Sequence, residues 1–166
     1  MTFNEIDPKS ITENPFDVFG KKWPLVAAGT QEKYNMMTIG WGTLGILWGQ
    51  PVAVVFIRPS RYTYEFMEKQ DTFSVNVLSE QYKDVLNLCG SKSGREIDKM
   101  NLEKLTVESH KGTPFFQQSD LVLICKKWYT QDFQPDTIPP EVIPQYYANG
   151  DFHRVYYGKI EMCFHL

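Results

Sequence analysis

Apolar positions along the chain fall into short runs, either alternating with polar residues or continuous, parted by polar, glycine or proline breaks. Leu25–Thr30 and Met36–Gly40 predict two strands joined by a polar turn over Glu32–Asn35. Leu44–Trp48 is a short apolar run stopped by Gly49 and Pro51. Pro51–Ile57 is a continuous β-branched and aromatic run, which predicts a strand buried on both faces. Arg58-Pro59-Ser60 ends it, and a short helix over 62–69 follows. Phe73–Val77 alternates as a half-buried strand does. Ser79 is placed to cap a helix running to about Leu88, with Tyr82, Val85, Leu86 and Cys89 at helical spacing and Gly90 as its end. Leu121–Trp128 and residues 152–164 are further strands, the last interrupted near Gly158.

Two stretches fit neither period. The first 20 residues read as a loop and a short helical turn packed on the domain edge. Residues 134–147 carry Pro135, Pro139, Pro140 and Pro144 and predict a long excursion, a feature that in a small domain usually serves function or an interface. Strands outnumber helices and no βαβ series is present. The expected fold is therefore mainly β: an antiparallel barrel with a few peripheral helices, with residues 1–166 forming one domain.

Charge narrows the partners. The net charge is −3, so no broad basic field is available to attract nucleic acid. No run approaches the roughly 20 apolar residues of a membrane-spanning helix. The start shows no cationic segment followed by an apolar stretch, so no signal peptide is expected and the cytoplasm is the expected compartment. Cys89, Cys125 and Cys163 are few and scattered, as buried thiols are.

Gly40-Trp41-Gly42-Thr43-Leu44-Gly45 has the spacing of a dinucleotide fingerprint, but that motif must open a long helix, and here Gly49 and Pro51 intervene within a few residues. The glycines better suit a barrel corner or close approach of backbone to a flat ligand. Gly90–Arg95 is too tightly spaced for a phosphate-binding P-loop, and the histidines and cysteines show no paired metal-ligand spacing, so no metal is expected. Two clusters remain. Arg58-Pro59-Ser60-Arg61-Tyr62-Thr63 lies where a buried strand meets a helix start. Free backbone N–H groups, two guanidinium groups and two hydroxyls there could hold a phosphate. The same residues also suit an ordinary helix start, with Ser60 or Thr63 as cap and the arginines in solvent. Asn35–Trp41 could supply backbone donors and acceptors and an aromatic cover to a flat ring, or could simply be a strand with a tryptophan in the core.

The text NMMTIGWGTLGILWGQPVAVVFIRPSRYTYEFME, followed by FSVNVL, resembles the flavin reductase-like FMN-binding family, especially its flavoredoxin-type members. SGREIDKM, Ser93–Met100, is a second matching block and HRVYYGKIE, His153–Glu161, a weaker third. The likeness spans about Leu25 to Glu161. It implies an FMN-binding split β-barrel, antiparallel and Greek-key-like, working as a homodimer with FMN near the interface. By position, Asn35, Met37, Thr38, Ile39, Gly40 and Trp41 would line the ring and ribityl region. Arg58, Ser60, Arg61 and Thr63 would surround the phosphate, Asn76 would lie near the ribityl chain, and Lys99 would reach the phosphate. Ser93 and Arg95 would order their loop, and His153 would face the flavin or a nicotinamide. The implied activity is reduction of FMN by NADH or NADPH, with no protein acid or base assigned. An electron carrier supplied by a redox protein partner and a non-catalytic flavin-binding dimer are the other readings consistent with the resemblance.

Overall fold

The computed structural model describes residues 3–165. Ten strands form: β1 Asn4–Glu5, β2 Leu25–Gly29, β3 Tyr34–Thr38, β4 Gly42–Leu47, β5 Gln50–Ile57, β6 Thr72–Leu78, β7 Val107–His110, β8 Thr113–Phe116, β9 Ser119–Asp132 and β10 Arg154–His165. The main sheet is antiparallel throughout, in the order β3-β2-β6-β9-β10-β5-β4, with β1 added to β10; β7 and β8 form a separate hairpin.

Connectivity forces this sheet to curl. β3 and β4 are its two edges, yet only Ile39, Gly40 and Trp41 separate them in sequence. Four residue steps span at most about 14 Å, so the two edges lie close together across a seam. The core confirms the curl. Val26 and Ala28 of β2 share one buried cluster with Ala53, Val55 and Ile57 of β5, four strands away in the sheet order, and with Phe73, Leu123 and Tyr156 of the three strands between them. The expected mainly antiparallel barrel is thus present, split between β3 and β4.

Several elements match the pattern closely. Val52 to Val55 and Ile57 of β5 are buried, as a continuous apolar run requires. Trp48 and Gly49, at φ 48° and 74°, form the two-residue turn joining β4 to β5, with Leu47 paired to Gln50. β10 shifts register at Tyr157/Gly158 and again at Ile160/Met162. A side chain at Gly158 would press on Phe73 and on Cys125 Cβ, at 2.7 Å, so the interruption marks a close packing point. The three cysteines are unpaired and buried.

Other expectations change. β3 begins at Tyr34 and ends at Thr38, displaced from the predicted span, because the Thr30–Lys33 turn is tighter than the polar run suggested. Ser79 does not cap a helix; its hydroxyl bonds the Asp120 carboxylate, a short 3-10 turn follows, and helix α3 covers Lys83–Ser91 with Gly90 inside it. Within the first 20 residues, β1 pairs with β10, and Val18 and Phe19 enter the core rather than the edge. The β7–β8 hairpin had no sequence expectation. The remaining α-helices among the described residues are a turn at Pro15–Asp17 (α1), α2 over Tyr62–Lys69 as predicted, and α4 at Val142–Tyr146 inside the proline-rich excursion. Among the described residues no helix is long and apolar enough to cross a membrane.

Candidate functional site

The seam between the sheet edges, the start of α2 and the excursion meet in one cleft. Its first wall is the free edge of β3. In an antiparallel edge strand, the backbone groups of alternate residues point away from the sheet unpaired. Met36 O accepts a hydrogen bond from Lys99 Nζ at 2.9 Å, and Thr38, two residues on, offers its backbone along the same edge. The Thr38 hydroxyl is already committed, donating to Leu86 O at 2.6 Å, so Thr38 lines the cleft through its main chain. Ile39, Gly40 and Trp41 continue the wall across the seam, together with Met37. Gly42, next in line, admits the Phe19 ring where any Cβ would overlap it, so that glycine serves packing.

The second wall is the start of α2. Its first turn has no side-chain cap. Ser60 Oγ instead donates to Asp151 Oδ2 at 2.5 Å, and Thr63 Oγ1 accepts from Asn35 Nδ2 at 2.8 Å. The ordinary-cap reading therefore fails, and the first N–H groups of the helix lack a side-chain acceptor. Around them a small cavity of about 100 Å³ is lined by Asn35, Arg61, Thr63, Lys92, Gly94 and Lys99, among others. No side-chain hydrogen bond or ion pair engages Arg61 or Lys92 among the described residues. Lys99 is only 4 % exposed, and Nζ donates to Met36 O and to Cys89 O, both at 2.9 Å. Burial, with the Arg61 charge adding to it, pulls its ammonium below the usual lysine range. An anion beside it would reverse that penalty. The loop that carries Lys92 is ordered as expected: Arg95 pairs with Glu65, lies over the Tyr62 ring at 4.8 Å and donates to Ser60 O, while Ser93 Oγ accepts from Arg95 N.

The third wall comes from the excursion. His153 is 7 % exposed, and its Nδ1 shares a 2.7 Å hydrogen bond with Tyr147 Oη. Burial, aided by the Arg58 charge, lowers its pKa to about 4, so the imidazole is neutral near pH 7. Trp41 packs between His153, at 4.9 Å, and Tyr146, at 5.1 Å. Arg58 donates to Tyr146 O at 2.8 Å and to Asp151 O at 3.1 Å, and its guanidinium lies over Tyr147. Arg58 and Ser60 therefore anchor the excursion as well as facing the cleft, a role the sequence did not show.

Three cavities join end to end. The cationic one shares Met37 and Arg61 with a middle cavity of about 190 Å³, which shares Trp41, Phe56 and Tyr146 with a larger one of about 660 Å³. Of the residues expected at the site, the cleft brings together Asn35, Met37, Thr38, Ile39, Gly40, Trp41, Arg58, Ser60, Arg61, Thr63, Lys99 and His153. Asn76 is the exception. It is fully buried, donating to Leu25 O and Ser74 Oγ and accepting from Phe116 N. It pins β8 to the barrel inside the core, because the hairpin that sequence reading missed supplies its partner. Lys92, Phe56, Tyr146 and Asp151 belong to the site and had no expectation. Lys92 was legible as a cation in a glycine-containing loop, whereas the others become neighbours only through tertiary contacts. Among the described residues no group of His, Cys, Asp and Glu is arranged to hold a metal ion.

The comparisons with known proteins agree with this fold. Among solved structures, the chain is similar to a flavoredoxin from Methanosarcina acetivorans (23 % identity, TM-score 0.68, 95 % of this chain and 76 % of that one). It is similar also to an FMN-binding protein from Thermus thermophilus with bound p-hydroxybenzaldehyde (22 %, TM-score 0.67, 94 % and 80 %). A third is the styrene monooxygenase flavin reductase from Pseudomonas putida S12 (18 %, TM-score 0.60, 84 % and 76 %). At these identities the likeness shows the fold. No curated protein matches by sequence. A family model, flavin reductase like domain, matches residues 18–164, nearly the whole chain. The chain therefore belongs to the flavin reductase-like domain family.

Proposed function

We propose that the chain binds FMN in this cleft and acts as an oxidoreductase of the flavin reductase type, taking reducing equivalents from NADH or NADPH. The observation that carries the reading is the uncapped start of α2 facing Arg61, Lys92 and the buried Lys99. Backbone N–H groups and charge-assisted donors converge there on a space suited to a terminal phosphate. The fit extends along the cleft. The edge backbone of β3 offers donors and acceptors to the polar edge of a ring system, and Trp41 and Phe56 offer apolar cover. Bound FMN would supply the redox chemistry, and the protein supplies orientation, hydrogen bonds and exclusion of water. Neutral His153, held by Tyr147, offers a polar group to the ring cavity without adding charge. The FMN-binding and flavoredoxin neighbours, and family membership, support the same cofactor.

The test has two stages. FMN is titrated by quenching of its fluorescence into wild type and into the Arg61→Ala/Lys92→Ala variant. We expect the variant to bind at least tenfold more weakly, because charged hydrogen bonds contribute about 1.5–3 kcal/mol each. Equal affinity would place the phosphate elsewhere. An anaerobic visible spectrum of the FMN-loaded protein then follows addition of NADH or NADPH. Rapid bleaching supports the reductase. Bleaching only by a reduced protein would instead assign an electron carrier, as the flavoredoxin neighbours suggest.

A further inference from the structure

The cavity of about 660 Å³ at the outer end of the cleft lies between the sheet and the 134–147 excursion, within the range of about 300–1,000 Å³ of small-molecule sites. Phe56, Phe133, Tyr147 and Tyr157 give it aromatic walls, and Val142 closes one side. Its walls include no lysine or arginine, and Asp132, the one charged residue among them, is paired with Arg154 at 2.9 Å. A nucleotide phosphate would find no cation there, whereas an uncharged ring would find apolar faces on several sides. Named bonds also tie the excursion and its flanks to the sheet. Arg58 donates to Tyr146 O and Asp151 O, Tyr147 bonds His153, and Phe133 N donates to His153 O at 2.9 Å. The wall is thereby fixed in place.

We propose that this cavity is a second small-molecule site, for an uncharged planar aromatic compound, sharing the Trp41, Phe56 and Tyr146 wall with the middle cavity. The cavity's own walls carry the assignment; that its ligand would lie beside a flavin rests on the reading proposed above.

The probe is 2-naphthol, neutral near pH 7, titrated by calorimetry into protein with and without FMN. We expect saturable binding at one site per chain. Val142→Trp, which fills the cavity from its rim, is expected to weaken that binding at least tenfold while leaving FMN affinity unchanged. Thr137→Trp, at an exposed lining position, repeats the test should Val142→Trp fold poorly. Absent binding, or binding equal in the filled variants, overturns the proposal, as does NADH displacing the probe from FMN-free protein. A filled variant that changes from dimer to monomer by light scattering also overturns it, because a second copy would then be the occupant. The FMN titration of the same samples separates the two readings. Naphthol binding without FMN binding would sink the flavin reading and leave the cavity assignment standing.

Discussion

At the scale of single residues, His153 shows how burial converts an ordinary side chain into a neutral polar group. Its pKa of about 4 lies below the 6.5 of an unfolded histidine, so between those limits the unfolded chain binds the proton more strongly. The contribution to stability is complete above pH 6.5 and fades as the pH falls toward 4, by up to about 3 kcal/mol. Urea unfolding midpoints at about pH 7 and about pH 4.5 should therefore differ more for wild type than for His153→Gln, which cannot titrate. Equal pH dependence in the two proteins would mean that His153 is solvated. Gly94 is a second informative residue. A Cβ there would overlap Asn35 Oδ1, whose amide is fixed by Thr63, so the loop bearing Lys92 can approach β3 only as glycine.

At the scale of elements, the excursion is the part whose position depends most on distant residues. Asp151 adopts φ 57°, a left-handed conformation that Asp tolerates better than most residues, just after Gly150 at 75°. From there its carboxylate accepts from both Ser60 N at 3.1 Å and Ser60 Oγ. Asp151→Ala removes both bonds and replaces a residue suited to that turn. Amides of residues 142–150 should exchange with solvent at least tenfold faster, while those of β9 and β10 are unchanged. Hydrogen exchange read by mass spectrometry checks this, and unaltered exchange in 142–150 would show that Arg58 alone suffices.

At the scale of the whole molecule, the outer face near the β4 edge remains apolar. Ile46 is 64 % and Trp48 66 % exposed, and Trp48 packs edge-on against Trp128 at 5.6 Å and against Tyr129. An unpaired edge strand beside such a patch favours association, which supports the homodimer that the family resemblance implies. Light scattering should give twice the chain mass for wild type and a shift toward monomer for the Ile46→Asp/Trp48→Glu variant. Wild type at the single-chain mass would sink the dimer.

Apolar period alone determined β5, α2, the central run of β9 and the break in β10 at Gly158. A continuous β-branched run, an isolated helical period and a lone glycine in a strand each carry their structure locally. Residue type and the family resemblance, rather than period, marked Arg61, Lys99 and the Asn35–Trp41 backbone as candidates. What the sequence could not decide was which polar groups were already used. Ser60 and Thr63 read either as phosphate partners or as caps, and only the fold shows that Asp151 and Asn35, 91 and 28 residues away, occupy their side chains. Asn76 read as a site residue until Phe116 is seen to hold it in the core. The β7–β8 hairpin escaped notice because its stabilising contacts, such as Ser74 to Pro114 O, are long-range. The excursion's anchors are long-range too. A hydrogen bond has one donor to give, and only the closed barrel determines which distant acceptor receives it.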